Sequence, residues 1–389
     1  MHEEPVQIVP TRMNQYSHFA FVSANVGGGG SEELWVQTAA HMASRGVRTT
    51  ALTTWSDRAA HRLEQLSAGQ VPHIAIKSGL IGKLVGRLKP SAPPEAAKLR
   101  DWLKRSAPTA VVFNSGTAFD GLDLLRVIAD SGIPHCIVTH LVSEANWPDD
   151  KTAERAAKLF AGASRTCFVS EHNRELFEVQ CACRLPEAEI VRNPYLVAAS
   201  DPLPWPTDAR GVFRMAFPAR LYPRTKGHDM LVRVMAQPKW RDRSLQIDLF
   251  GKGPAEKTLR RHVELEGVEN IHFRGHTADV PGIWRESHAL ILPSRHEGLP
   301  ICLVEAMMAG RPAFINPAGG SPEVMTEGET GLISSACTVE ALDRMLEEAW
   351  TLRDSWKTMG EAAAKKAREL IPADPVEVFS QSLNDWISK

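Results

Sequence analysis

The chain has 389 residues, too many for one ordinary core and about right for two domains. Its formal net charge of -1 supplies no basic field, so nucleic acid is not expected as a partner. A hydrophobic share of 43% and a charged share of 23% suit a soluble enzyme, and the longest apolar runs fall short of the ~20 residues a membrane-spanning helix needs.

The first residues, "MHEEPVQIVPTRMNQYS", carry no apolar segment like that of a signal peptide. The six cysteines are scattered, and Cys181 and Cys183 form a C-x-C without a partner pair, so neither zinc nor a disulfide framework is expected. These features predict a cytoplasmic protein with reduced thiols. Strand-like runs then alternate with amphipathic helical stretches. The first set is "HFAFVSAN" (18–25), "VRTTALTT" (47–54), "HIAIK" (73–77), "TAVVFN" (109–114), "PHCIVTH" (134–140) and "RTCFVS" (165–170). The second is "VFRMAFPA" (212–219), "LQIDLFG" (245–251), "NIHFRG" (270–275), "HALILP" (288–293) and "RPAFIN" (311–316). Such alternation predicts an α/β fold with parallel sheets covered on both faces. A Pro-rich segment, "NPYLVAASDPLPWPTDARG" (193–211), separates the sets. The expected organisation is therefore two Rossmann-like, doubly wound domains, 1–195 and 211–370, joined by a linker at 196–210. The end of the chain, 371–389, forms one more amphipathic helix. In open parallel sheets ligands bind beyond the carboxyl ends of the strands, so two facing sheets predict a cleft between domains.

Several motifs fall at such strand ends. After the first strand, "VGGGGSEELW" (26–35) offers a tight turn and then a helix whose free N–H groups suit an anion. The dinucleotide fingerprint G-x-G-x-x-G fails there, because Glu33 stands at its third glycine, and "TTWSDR" after the second strand does not meet the requirement for a ribose-binding acid. A dehydrogenase is disfavoured. "KSGLIGKLVGRLKP" (77–90) interleaves Leu80, Ile81, Leu84, Val85 and Leu88 with Lys77, Lys83, Arg87 and Lys89. Two readings fit this stretch: a core helix, or a peripheral contact with an anionic membrane surface. "PARLYPRTKGHDML" (218–231) puts Arg220, Arg224 and Lys226 in one loop, where Arg can chelate a phosphate and Lys supplies a compact charge. "GKGPAEK" (251–257) is another Gly-rich strand–helix junction.

"EGLPICLVEAMMAG" (297–310) carries the sharpest signal. Pro300 suits a helix start, and Gly310 with Pro312 suits its end. The residues between are apolar on every side, which predicts a buried helix, yet Glu305 sits in the middle and Glu297 just ahead of it. A buried ionised carboxylate must be paired or hydrogen-bonded, and the vicinal hydroxyls of a sugar or ribose are suitable donors; a structural salt bridge to Glu305 is the alternative. "NPAGGSPEVMTEGETGLI" (316–333) follows the next strand, with Gly319 and Gly320 open to close approach and Pro322-Glu323 expected to start a helix.

Together, E-x7-E after "PSRHEGLP", then "NPAGGSPEV" and "GETGLI", preceded by "ARLYPRTKGHDML" and "LFGKGP", resemble family 4 of the retaining glycosyltransferases, which have the GT-B fold. The resemblance is strong over 212–335 and looser before it, where the Gly-rich loop, "VTHLVSEANW" and "CFVSEHNRELF" fit the same plan. It implies a nucleoside-diphosphate sugar as donor substrate, UDP- or GDP-linked, with no other cofactor. Arg220 and Lys226, with Arg224 able to share the role, would clamp the diphosphate. Glu305 would take the ribose hydroxyls and Glu297 the hydroxyls of the transferred sugar. The backbone at Gly298, Leu299, Pro300 and Ile301 would hold sugar and phosphate, and Arg274 would border the base. Gly28 and Gly29 would approach the diphosphate from the other domain, and His140 would lie near the sugar. The C-terminal helix would cross back onto the first domain. Transfer of a hexose-type sugar to a glycan, lipid or small-molecule acceptor would follow. No D-x-D motif stands at the end of a cleft-facing strand, so no metal is expected. An epimerase on the same fold and a catalytically idle nucleotide-sugar-binding subunit are the rival readings; no pyridoxal-type lysine environment supports a phosphorylase.

Overall fold

The computed structural model describes residues 17–24, 30–54, 60–76, 93–207 and 211–388. Two parallel sheets organise them. The first contains β1 (His18–Ser23), β2 (Arg48–Thr53), β3 (His73–Ala75), β4 (Ala110–Ser115), β5 (His135–Thr139), β6 (Arg165–Phe168) and β7 (Glu189–Ile190), in the order β3-β2-β1-β4-β5-β6-β7. The second contains β8 (Phe213–Pro218), β9 (Leu245–Phe250), β10 (Ile271–Gly275), β11 (Ala289–Leu292), β12 (Ala313–Ile315) and β13 (Gly331–Ile333), in the order β10-β9-β8-β11-β12-β13. All six residues of β1 and all six of β4 are buried, as strands with helices on both faces require. The fold is thus two Rossmann-like domains in the GT-B arrangement. Each strand order reverses once, between β1 and β4 and between β8 and β11, and those reversals open the crevices where ligands sit.

Two strands escape the sequence pattern. β7 and β13 are the last strands of their sheets and hold only two and three residues, too few for a period to show. The helix expected from Pro322 shrinks to a single 3-10 turn, Ser321–Val324. The stretch 77–90 lies outside the described residues. Among the described residues, no helix is long and apolar enough to cross a membrane.

The segment after β7 is fastened to the second domain by two arginines. Arg311, fully buried, donates from Nε to the carbonyls of Trp284 (2.9 Å) and Ser287 (2.8 Å) and from Nη2 to Pro204 (2.7 Å). Its Nη1 reaches Ala309 (2.9 Å) and Leu203 (3.2 Å). Burial without a carboxylate partner lowers its pKa to about 10, so it remains a cation at neutral pH. Arg368 ties Ala199 (2.7 Å) to Met308 (3.0 Å) through their carbonyls. The final helix, Pro375–Ser388, then packs on helix Glu33–Ser44 of the first domain. Phe379 and Leu383 join a core with Trp35, and Arg165 donates to Ser382 Oγ (2.6 Å). The chain therefore crosses between domains twice.

Arg311→Met keeps much of the apolar volume but strands the carbonyls that converge on the guanidinium. Since an unsatisfied buried group costs roughly 1–3 kcal/mol, urea unfolding should show a loss of about 3 kcal/mol or more; a loss below about 1 kcal/mol would mean that the linker is not held this way.

Candidate active site

The helix foreseen around Glu305 runs Ile301–Met308, capped by Pro300 and closed by Gly310 at φ 77. Leu303, Val304, Ala306, Met307 and Met308 are buried in the core of the second domain. Glu305, 5% exposed, finds no ion pair among the described residues; its Oε1 accepts the Leu196 N–H at 3.1 Å. Burial raises the pKa of Glu305 to about 7; the Leu196 hydrogen bond works against that, and the negative Glu33 across the cleft adds to it. The carboxyl is poised near neutrality, where donated hydroxyls would tip it to the ionised form.

Glu297 stands at the carboxyl end of β11 and is also buried. Its Oε1 accepts from Lys226 Nζ at 2.5 Å. Burial opposes the charge on Lys226, but the charge and hydrogen bond of Glu297 overcome it and hold the ammonium above its usual range. The two residues that the resemblance assigned to sugar and to phosphate are therefore one pair. Two further residues, missed in the sequence, lock it in place. Arg295 makes a two-pronged bond to Asp229 (2.7 and 2.8 Å), and its own N–H donates to the Thr225 carbonyl at 2.8 Å. Segments 222–229 and 294–297 are thus tied together.

Arg220 follows β8, exposed, its guanidinium without a hydrogen-bond partner among the described residues, as an arm waiting for an anion would be. Arg274 is different. It sits on β10, the edge strand, with β9 and β8 between it and β11, and its Nε is taken by Asp248 at 2.8 Å. The structure does not bring it to the cluster. Gly28 and Gly29 lie outside the described residues.

Opposite the cluster stands the first domain. A Cβ on Gly298 would run into the carbonyl oxygen of His140, and one on Gly30 would come within 2.7 Å of Ile301 Cδ1. Gly298 consequently presses against His140, and Ile301 against Gly30. His140 itself is buried, its Nε2 2.7 Å from Asn114 Oδ1. His296 Nδ1 meets Ser143 Oγ at 2.9 Å across the cleft. Glu323 makes the firmest crossing: its carboxylate accepts the N–H groups of Glu171 (3.1 Å) and His172 (2.7 Å), at the positive end of helix Glu171–Gln180. Its sequence signal was present in Pro322-Glu323, but it read as a helix start.

Beside these crossings opens a cavity of about 220 Å³. Phe119, Leu141 and Val142 line it from one domain, and Tyr222, Arg224 and His296 from the other. It adjoins both His140 and Glu297 along the chain, through Leu141 and His296.

A family model described as "Glycosyl transferases group 1" matches residues 213–351. The Vi polysaccharide biosynthesis protein VipC/TviE of Salmonella typhi is 38% identical over 112 residues, 28% of this chain and 19% of that protein. A GDP-mannose-dependent alpha-(1-6)-phosphatidylinositol monomannoside mannosyltransferase of Mycolicibacterium smegmatis is 33% identical over 134 residues, 32% of this chain and 35% of that enzyme. The match thus spans well under half the length of these relatives. Among solved structures, Anabaena HepE in complex with UDP superposes with a TM-score of 0.74 at 18% identity, covering 95% of this chain and 99% of that one. The lipopolysaccharide outer core galactosyltransferase WaaB superposes at 0.69 and 16% identity, covering 96% and 100%.

Glu323→Ala removes the carboxylate that caps helix Glu171–Gln180 from the other domain. Hydrogen exchange at the Glu171 and His172 amides should speed up at least tenfold, a cost of ~1.4 kcal/mol or more, while exchange in β11 stays as it was. Unchanged exchange at both amides would remove Glu323 from the closure.

Proposed function

We propose that this protein is a retaining, metal-independent glycosyltransferase that moves a hexose from a nucleoside-diphosphate sugar to a glycan, lipid or small-molecule acceptor. One observation carries the reading: buried Glu297, paired with half-buried Lys226, and buried Glu305 flank one helix N-terminus, beyond the carboxyl end of β11, facing His140 across the cleft. A cation, two acids that need hydroxyl donors, and free helix N–H groups match the parts of such a donor. The group 1 family match over 213–351 and the transferase names of the relatives support the same reading.

In this mechanism the bond between the anomeric carbon and the diphosphate oxygen breaks. Arg220, Lys226 and the amides before Ile301 take up the charge that develops on the leaving diphosphate. The acceptor hydroxyl attacks the face being vacated, and its proton passes to the departing phosphate oxygen, so configuration is retained. Glu297 orients the sugar hydroxyls and keeps Lys226 charged at the same time. Glu305 holds the ribose and so belongs to donor and product alike. The acceptor enters by the cavity between Phe119 and Arg224. Relatives and neighbours differ in nucleotide, GDP-mannose in the mycobacterial mannosyltransferase's name and UDP in the HepE complex, so both sugar series are candidate donors.

Isotope-labelled UDP- and GDP-sugars incubated with the protein, with excess EDTA, should yield free nucleoside diphosphate and labelled product. Lys226→Ala should slow turnover by roughly 10²–10³. No product from either series would sink the transferase reading; a product that isomerises the donor instead would favour an epimerase. Release only on adding magnesium or manganese would overturn metal independence.

Glu305 makes a second expectation. Ribose hydroxyls donate to the ionised carboxylate, so binding removes a proton from a group whose pKa is about 7. Affinity for nucleoside diphosphate should therefore be low below that value and rise about tenfold between pH 6 and pH 8. Glu305→Gln should flatten this part of the profile, leaving only the titration of the phosphate itself. Calorimetry in both proteins checks it, and parallel profiles would place the ribose elsewhere.

A further inference from the structure

The carboxyl ends of β1, β4 and β5 meet behind His140, and a second buried acid lies there. Glu32 is 0% exposed. Its carboxylate accepts from Trp35 Nε1 (2.8 Å), Asn114 Nδ2 (3.1 Å) and Ser23 Oγ (3.1 Å). A charge so deep costs free energy even when surrounded by donors, and an amide of the same shape would fill the space more cheaply. What the charge adds is direction. A carboxylate only accepts, so Asn114 must turn Nδ2 to Glu32 and Oδ1 away from it. That Oδ1 lies 2.7 Å from His140 Nε2. An amide oxygen also only accepts, so Nε2 must carry the ring proton and Nδ1 must be the bare lone pair. Burial pushes the pKa of His140 down to about 3, with the Asn193 side chain pulling weakly the other way, so the ring stays neutral. Among the described residues Nδ1 is buried and makes no well-formed hydrogen bond, and the same holds for Asn193 Oδ1, the side chain that opposes the shift. The His140 carbonyl, meanwhile, rests on Gly298 of the donor loop.

We propose that Glu32 and Asn114 are positioning residues that fix His140 as the neutral Nε2–H tautomer, leaving Nδ1 as an acceptor for a hydroxyl of the transferred sugar. The relay runs Glu32, Asn114, His140, and its output is the direction of one lone pair. The proposed function enters only through the identity of the ligand; the tautomer lock stands on the side chains alone. Glu32→Gln breaks the lock with little change of shape, because a glutamine amide can face Asn114 with either its oxygen or its nitrogen. Asn114→Ala removes the middle member.

The test uses the whole protein labelled with ¹⁵N at histidine, the His140 ring signals being assigned by their loss in His140→Gln. Between pH 6 and 8 the wild type should show one tautomer, protonated at Nε2. In Glu32→Gln and Asn114→Ala the ring nitrogens should shift toward a mixture. Donor turnover in both should fall ~10–100-fold in kcat, as loss of an orienting outer partner does elsewhere, while KM for the donor and affinity for nucleoside diphosphate change less than about twofold. An Nδ1–H ring in the wild type, or unchanged ring signals in both variants, overturns the lock. Altered ring signals with unchanged kcat overturn its role in transfer. Should the wild type turn over no nucleotide sugar, the proposed function fails while the ring signals still decide the lock. Asn114→Ala carries the test if Glu32→Gln does not fold.

Discussion

The site depends on how closely two loops of the second domain can lie on the first. Gly298 faces the His140 carbonyl, Gly319 faces the Glu297 carbonyl and Gly320 faces Ser170, and a Cβ at any of the three would collide. Gly319 adopts φ 55, a conformation that other residues rarely take. Because these positions lack side chains, the Gly320 N–H reaches the Gly298 carbonyl at 2.7 Å, and the loop carrying Glu297 is gripped from both sides. Lys226 and His140 come from sequence positions far from Glu297 and Glu305, and this close approach brings them together.

The charges inside that site are arranged so that few compete. Lys226 and Glu297 neutralise each other, Arg295 and Asp229 do the same behind them, and Glu323 is spent on a helix N-terminus. Arg220 and Arg224 remain exposed at the cleft, free to meet an anion. An anionic ligand would thus meet a region in which Glu297, Asp229 and Glu323 are already committed. Fixed partners also mean that little reorganisation accompanies charge development, which is where preorganised sites gain their advantage.

Much of this was legible in the sequence, and the pattern of what was not is physical. Periodicity revealed the long strands, because burial on both faces makes them continuous apolar runs, but it is silent for β7 and β13 at the sheet edges. Gly, Pro and acid spacing marked the helix Ile301–Met308 because its cap, its stop and its misplaced carboxylate are local features. The pairing of Lys226 with Glu297 was not visible, since 71 positions separate them and either could have faced a ligand alone. Arg274, which the resemblance set at the border of the base, stands on edge strand β10, with β9 and β8 between it and β11 and Asp248 as its partner, a placement that only the strand order reveals. Glu32, read only as part of a Gly-rich turn, owes its role to Asn114, which lies 82 positions on.

Glu305 links these levels. A carboxylate in a buried helix needs donors, and one is the Leu196 N–H of the segment that joins the domains. Glu305 is therefore also an anchor of the connection between domains, a few residues ahead of the carbonyls held by Arg311 and Arg368. Because its pKa is near 7, its charge and the grip on Leu196 vary together: the ionised form accepts more strongly than the neutral one. A ligand whose hydroxyls favour the ionised form would tighten the linker contact as it binds. Closure and donor recognition would then share one titrating group, which explains why a buried helix in the core of one domain carries an acid that a hydrophobic residue could otherwise replace.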